Sequence, residues 1–271
     1  MIIWAGSFIA GILGALTGLG GGVVIVPLLT LAFGVDIRYA IGASLISVIA
    51  TSSGAASAYV KEGFSNIRIG MFLEIATTIG AIFGAFLAAI TPTNIIAIIF
   101  GFVLLYSAIL TFITRHEQHL NNKNDRIAEL LRLNGNYPAI NGLQNYSVQR
   151  VPQGFGLMFI AGSLSGLLGI GSGAAKVLAM DQVMKIPFKV STTTSNFMIG
   201  VTAAASAGIY LSRGYIDPGL SMPVILGVLL GSLVGAKILT KAPTYWLKIL
   251  FSVVIFVLAF EMIKNGLSGK I

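Results

Sequence analysis

Two glycine clusters, Gly18-Leu19-Gly20-Gly21-Gly22 and Gly169-Ile170-Gly171-Ser172-Gly173, interrupt long apolar segments of the 271-residue chain. Glycine tolerates positive φ and costs a helix about 1 kcal/mol per residue relative to alanine, so each cluster predicts an unwound turn between two half-helices. The half-helix that follows such a turn presents free N–H groups and a partial positive charge, which suits an anion. Gly20, Gly21 and Gly22, with Gly171, Ser172 and Gly173, are therefore candidate substrate-binding residues. Lys176 lies one turn beyond the second cluster. Deep in an apolar segment it is either a counter-charge for the anion or a protonatable coupling group, set against the plainer readings of an ion pair with Asp181 or a snorkelling ammonium. Ser44 and Ser195 occupy matching positions 151 residues apart, and Asn196 follows the second. Hydroxyls and amides donate to oxyanions, although in membrane helices they also bond their own backbone or a neighbouring helix.

Glu74 and Asp181 complete the candidates for coupling, together with Lys176, to a proton or a sodium ion. Glu74 reads as a proton carrier, a charge that excludes substrate or the buried partner of a lysine. Asp181 has Lys185 four residues on, so a structural helical ion pair is its first explanation. Other chemistries have little support. The chain has no cysteine, and its two histidines, His116 and His119, fall in a polar stretch. Neither thiolate chemistry nor a histidine base within a span is available. Ser172 and Lys176 are spaced for a Ser-Lys dyad, but the first copy of the same glycine cluster has neither, which favours a shared binding architecture over an enzyme. The clusters also lack the Lys-Ser/Thr ending of a phosphate loop, and no metal or cofactor is implied.

The elements that hold these residues follow from composition: 56% of residues are hydrophobic and 10% charged, too little polar surface for a soluble globule. Apolar stretches at 40–60, 67–90, 94–114, 191–211, 218–240 and 244–263 are each long enough to cross a bilayer. The net charge of +8 comes almost wholly from residues flanking those stretches, which records topology and not a nucleic-acid partner. No basic leader with a cleavage site opens the chain.

Sliding the sequence against itself by 151 positions aligns Phe8-Ile9-Ala10-Gly11 with Phe159-Ile160-Ala161-Gly162, and the register persists through Thr51/Thr202, Tyr59/Tyr210 and Pro92/Pro243. Of 14 glycines between residues 8 and 112, 7 meet a glycine, where composition alone predicts about two. The chain therefore divides into a first transmembrane repeat (1–114), a polar linker (115–150) and a second repeat (151–271). The linker reads as solvent-facing, with Asn134-Gly135-Asn136 as a turn and 125–133 as either a short amphipathic helix or a loop. Tyr59 and Tyr210 read as interfacial anchors.

Residues 3–33 would span about 46 Å as one helix, well beyond a hydrocarbon core of about 30 Å. The half-helices expected are 3–17 and 22–33. If each broken segment crosses the membrane, Lys and Arg divide 10 on the linker side against 6 opposite, leaving Lys176 aside. If each returns to its own side as a re-entrant hairpin, the copies are inverted and the division is 12 against 4. The second count favours an all-α polytopic protein of the inner membrane built from two inverted repeats, each a broken segment plus three spans. Its linker is then cytoplasmic and both termini lie outside. Short glycine-broken segments at matching places in two repeats point to a midplane substrate site for a small anion. The same hairpins would serve an anion channel as its selectivity constriction. An oligomer is compatible with either.

The string Gly14-Ala15-Leu16-Thr17-Gly18-Leu19-Gly20-Gly21-Gly22-Val23-Val24-Ile25-Val26-Pro27, followed by Ala40-Ile41-Gly42-Ala43-Ser44-Leu45, resembles the sulfite exporter TauE/SafE family. The resemblance covers nearly the whole chain, and the second copy departs from the pattern at Lys176 and Asp181. It implies secondary transport, without ATP, of sulfite, sulfoacetate or a related organosulfur anion.

Overall fold

A computed structural model describes residues 2–17, 21–61, 65–112, 125–139, 142–239 and 244–271. Gly18, Gly20, Gly63, His116, His119 and Pro243 lie outside the described residues, as does the side chain of Tyr59. The first copy comprises α1 (Ile2–Thr17), α2 (Gly22–Pro27) running on as a π turn (Leu28–Ala32), α3 (Ile37–Lys61), α4 (Ile67–Ile90) and α5 (Thr93–Phe112). A linker follows, with α6 (Arg126–Leu130) and the strands β1 (Gly135–Ala139) and β2 (Gly142–Tyr146). The second copy comprises α7 (Val151–Leu168), α8 (Gly173–Leu178) with a π turn (Ala179–Val183), α9 (Phe188–Ser212), α10 (Pro218–Leu239) and α11 (Thr244–Leu267). Element starts at 22, 28, 37, 67 and 93 recur at 173, 179, 188, 218 and 244, each offset by the sequence period.

Every major helix pair joins one copy to the other: α1 packs on α10, α7 on α4, α3 on α9 and α5 on α11. Small residues set the approach. A Cβ on Gly80 would strike the Phe159 carbonyl and one on Gly84 that of Ser163, while Gly162 and Gly166 meet Thr77 and Ala81 in return. On the other pair Gly227 and Gly231 meet the carbonyls of Trp4 and Phe8. Both contact series advance by four residues on each helix, so α7 runs parallel to α4 and α1 parallel to α10. Lipid supplies no hydrophobic drive between helices, and such close backbone contact is where their packing energy arises.

The broken segments double back. The Gln149 N–H, just before α7, donates to the Met184 carbonyl at 3.0 Å, just after the second π turn. In the first copy a Cβ on Gly6 would lie 3.1 Å from Leu28 Cδ2. The reversal in the second copy is made by Gly169, Gly171 and Ser172, at φ +68°, +70° and +44°. Among the described residues three helices, Ile67–Ile90, Val151–Leu168 and Pro218–Gly235, are long and apolar enough to cross a membrane.

The linker departs from the expected solvent-facing loop. Asp125 caps α6, its Oδ1 accepting from Ile127 N at 2.9 Å and its Oδ2 from Val151 N at 3.1 Å. Gly135 and Asn136 open a strand instead of a turn, and β1 pairs antiparallel with β2. Ala128, Leu133, Tyr146 and Val148 are buried with Ile69, Leu73, Met180, Met184 and Val190. A few apolar residues dispersed in polar sequence thus clamp the entrances of α4, α7 and α9. The Asn66 amide donates to Tyr146 Oη at 2.6 Å, and burial pushes the Tyr146 phenol up to about 12, opposed by that bond. Tyr210, expected as an interfacial anchor, is instead 2% exposed. Its hydroxyl donates to the Gly166 carbonyl at 3.1 Å, because the close approach of α7 brings a free lone pair within reach.

Candidate functional site

Ser172 stands at the head of α8 in the left-handed region and makes no capping bond with its side chain. Its hydroxyl is buried without a hydrogen-bond partner. One turn on, Lys176 is wholly buried, its backbone N–H held by the Ser172 carbonyl at 3.1 Å. The four-residue spacing sets the hydroxyl and the lysine stem on one helix face. The ammonium donates to Thr202 Oγ1 at 2.6 Å. Thr202 Oγ1 lies 2.7 Å from Glu74 Oε1 and 2.9 Å from the Met198 carbonyl. With one hydroxyl proton available and the ammonium occupying the oxygen, the charge-assisted bond to Glu74 is the stronger choice. Thr78 also donates to Oε1, at 3.2 Å. Glu74 Oε2 is buried with no partner.

Three helices deliver this relay: α8 and α9 from the second copy and α4 from the first. Glu74 lies seven residues into α4, about 10 Å along its axis, and Lys176 eight residues before Met184, about 12 Å by the same rise. A lysine and a glutamate joined through one hydroxyl are far from free water. Removing either would leave the other buried and uncompensated, at a cost of about 3–5 kcal/mol.

The glycine breaks meet beside the relay. Ser44 Oγ donates to the Gly169 carbonyl at 2.7 Å, and Ser195 Oγ to that of Gly173 at 3.2 Å. A Cβ on Gly22 would lie 2.6 Å from Ser44 Oγ and 2.8 Å from the Gly169 oxygen, so only glycine lets the two breaks touch. A Cβ on Gly21 would press on Val228 and Ile25, and one on Gly171 on Ile199 and Val48. Both serine protons are thus spent on backbone carbonyls, that of Gly169 being one the end of α7 leaves open, and an oxyanion would have to exchange for them. Asn196 is partly buried beside Ser195. Asp181 sits in the second π turn and accepts from Gln182 Nε2 at 2.7 Å. Lys185 falls past the end of that turn at φ +57°, so no continuous helix spaces it from Asp181. Thr202, the bridge of the relay, was visible in the sequence only as the repeat partner of Thr51. A hydroxyl that joins two charges has no spacing signature of its own.

Parallel helices packed through glycine, long apolar helices and a buried lysine and glutamate from the two halves, bridged by one hydroxyl, are the features of an integral membrane protein of the transporter class. The chain belongs to the sulfite exporter TauE/SafE family, whose model matches residues 3–262. Its relatives include two from Bacillus subtilis, "Probable membrane transporter protein YunE" and "Probable membrane transporter protein YdhB". The first is 27% identical over 268 residues, 96% of each chain. The second is 28% identical over 253 residues, 92% of this chain and 94% of the relative. "Probable membrane transporter protein MJ0441" of Methanocaldococcus jannaschii is 24% identical over 272 residues, 95% of this chain and 92% of its own. No solved structure matches the chain significantly.

Proposed function

We propose that the protein is a secondary transporter of a small anion, such as sulfite, sulfoacetate or a related organosulfur anion, and that the anion binds where the two glycine breaks meet. The observation that carries this reading is Lys176, a fully buried ammonium with the unpartnered hydroxyl of Ser172 one turn away. Of its three N–H donors, one is used by Thr202, so an oxyanion would find both a charge and open donors. Gly21, Gly22, Gly171 and Gly173 would give the anion close access to backbone, with Ser44, Ser195 and Asn196 at its edge.

The doubling back of each broken segment supports re-entrant hairpins, and the cross-copy pairing of parallel helices supports inverted repeats. The 12 to 4 division of basic residues supports, with this, a cytoplasmic linker and a place in the inner membrane. Rocking of the copies about the shared breaks would then expose the site to each side in turn. Tracer exchange in proteoliposomes tests the reading. Sulfite, sulfoacetate or methanesulfonate should show saturable, trans-stimulated flux that Lys176→Ala lowers by about 100-fold. Undiminished flux in Lys176→Ala removes the lysine from the site, and large unitary currents would replace the carrier by a channel.

A further inference from the structure

We propose that Glu74 is the proton-binding residue of the transporter, and that one proton taken up there accompanies each monoanion bound beside Lys176. The proposal rests on the transport reading and names its coupling ion. In the structure Lys176, Thr202 and Glu74 form a directional chain, ammonium to hydroxyl at 2.6 Å and hydroxyl to carboxylate at 2.7 Å. Its net charge is zero. A monoanion entering beside Lys176 would leave the buried group at −1, which a low-dielectric interior penalises heavily. Protonating Glu74 restores zero: one O–H bond forms on the carboxylate as one breaks in the hydronium that delivers the proton from the water, and the anion inherits the lysine. The oxygen for that proton is already set apart, since Oε1 takes the bonds from Thr202 and Thr78 while Oε2 is buried with none.

Among the described residues no other ionisable group competes for this role. Among the helices against Glu74, α7 carries no titratable side chain. On α9, Lys189 is exposed in the first turn and Tyr210 is bonded to Gly166 in the last. On the second π turn Asp181 is bonded by Gln182, and on α4 itself Arg68 is exposed in the first turn. A metal cation would contend with the adjacent ammonium for Thr202 and Glu74 and needs several oxygens, whereas a proton needs one.

The test uses the full chain in proteoliposomes with methanesulfonate, a permanent monoanion that brings no proton of its own, and with sulfite above pH 8. A substrate gradient should drive one proton per methanesulfonate, read by an internal pH dye, with net flux unaffected when the membrane potential is clamped. Glu74→Gln should lose the proton movement and pH-driven accumulation, by 10-fold or more, yet keep anion exchange between equal pools. Binding of methanesulfonate or sulfite by the unmutated protein in weakly buffered detergent should take up one proton per site, a measurement that does not depend on the variant folding. Anion flux without proton uptake, or proton coupling that survives Glu74→Gln, overturns the proposal while leaving transport intact. Absence of flux for methanesulfonate, sulfite and sulfoacetate alike overturns the transport reading itself.

Discussion

The charged relay Lys176–Thr202–Glu74 has a counterpart 151 positions away, made of Ile25, Thr51 and Ile225. Ile25 is fully buried, and Thr51 returns its hydroxyl to its own helix, at 3.0 Å from the Ser47 carbonyl. Thr202 also reaches its own helix, at Met198, but adds Lys176 and Glu74. The two copies thus share a scaffold element by element and differ in the charge that it encloses. At the positions where the charged relay holds a lysine and a glutamate, its counterpart holds two isoleucines. A buried pair cannot be installed one member at a time without cost, so the lysine and the glutamate, on different copies, have to be considered as a unit.

That contrast can be broken most severely by moving the charge. Ile25→Lys should cost about 3–5 kcal/mol or prevent folding, because the site opposite holds Ile225 and no carboxylate. Adding Ile225→Glu should recover part of the loss, as thermal unfolding in detergent would record. The reciprocal change, Lys176→Met with Glu74→Leu, should keep the protein folded and abolish flux. If Ile25→Lys is tolerated alone, burial in the first copy does not have the meaning given to it here.

The scaffold should respond symmetrically where the site does not. Gly80→Leu and Gly231→Leu, at matching points on the two parallel pairs, should each destabilise by about 1–3 kcal/mol or more through overpacking against a carbonyl. Gly208→Ala, which meets nothing within 4 Å, should be nearly silent. A large difference between the two leucine variants would dissolve the equivalence of the copies. Thr202→Val should weaken stability by about 1–3 kcal/mol and uncouple proton movement, while Thr51→Val should change either by little, at most about 0.5 kcal/mol. Ser44→Ala should cost about 1 kcal/mol and Ser195→Ala less, in line with their bonds of 2.7 and 3.2 Å.

The linker has no counterpart, and its effect is the smallest. Because the folded Tyr146 phenol titrates near 12, above its ordinary value of 10.0, it stabilises the fold fully below pH 10 and less as the pH climbs toward 12. Limited proteolysis of the linker should therefore accelerate over that range in the native chain, and less so in Tyr146→Phe.

Much of the frame was legible in residue order. Apolar length located six long helices, of which Ile67–Ile90 and Pro218–Leu239 carry a stretch apolar enough to cross a membrane, and the half-helix bounds followed from glycine clusters too long to sit inside one helix. The short helix of the linker was one of the two expected alternatives, but the linker's packing was not legible, because its buried residues are single apolar side chains scattered among Asn, Gln and Arg, without a period that either a helix or a strand would impose. Asp181 lies within the second π turn and Lys185 just beyond it at φ +57°, a break in the helix that their spacing in the sequence did not reveal. Tyr210 looked interfacial by type and place, and only the approach of α7 supplied its buried acceptor.

By itself the sequence determined the membrane character, the period of 151 and the two breaks, because hydropathy, repetition and glycine content are properties of the chain read in order. Tertiary structure decided which copy each helix packs against and that Lys176 answers to Glu74, 102 positions away, through Thr202. A hydrogen-bonded relay depends on distances across helices, and neither residue type nor spacing along the chain encodes those.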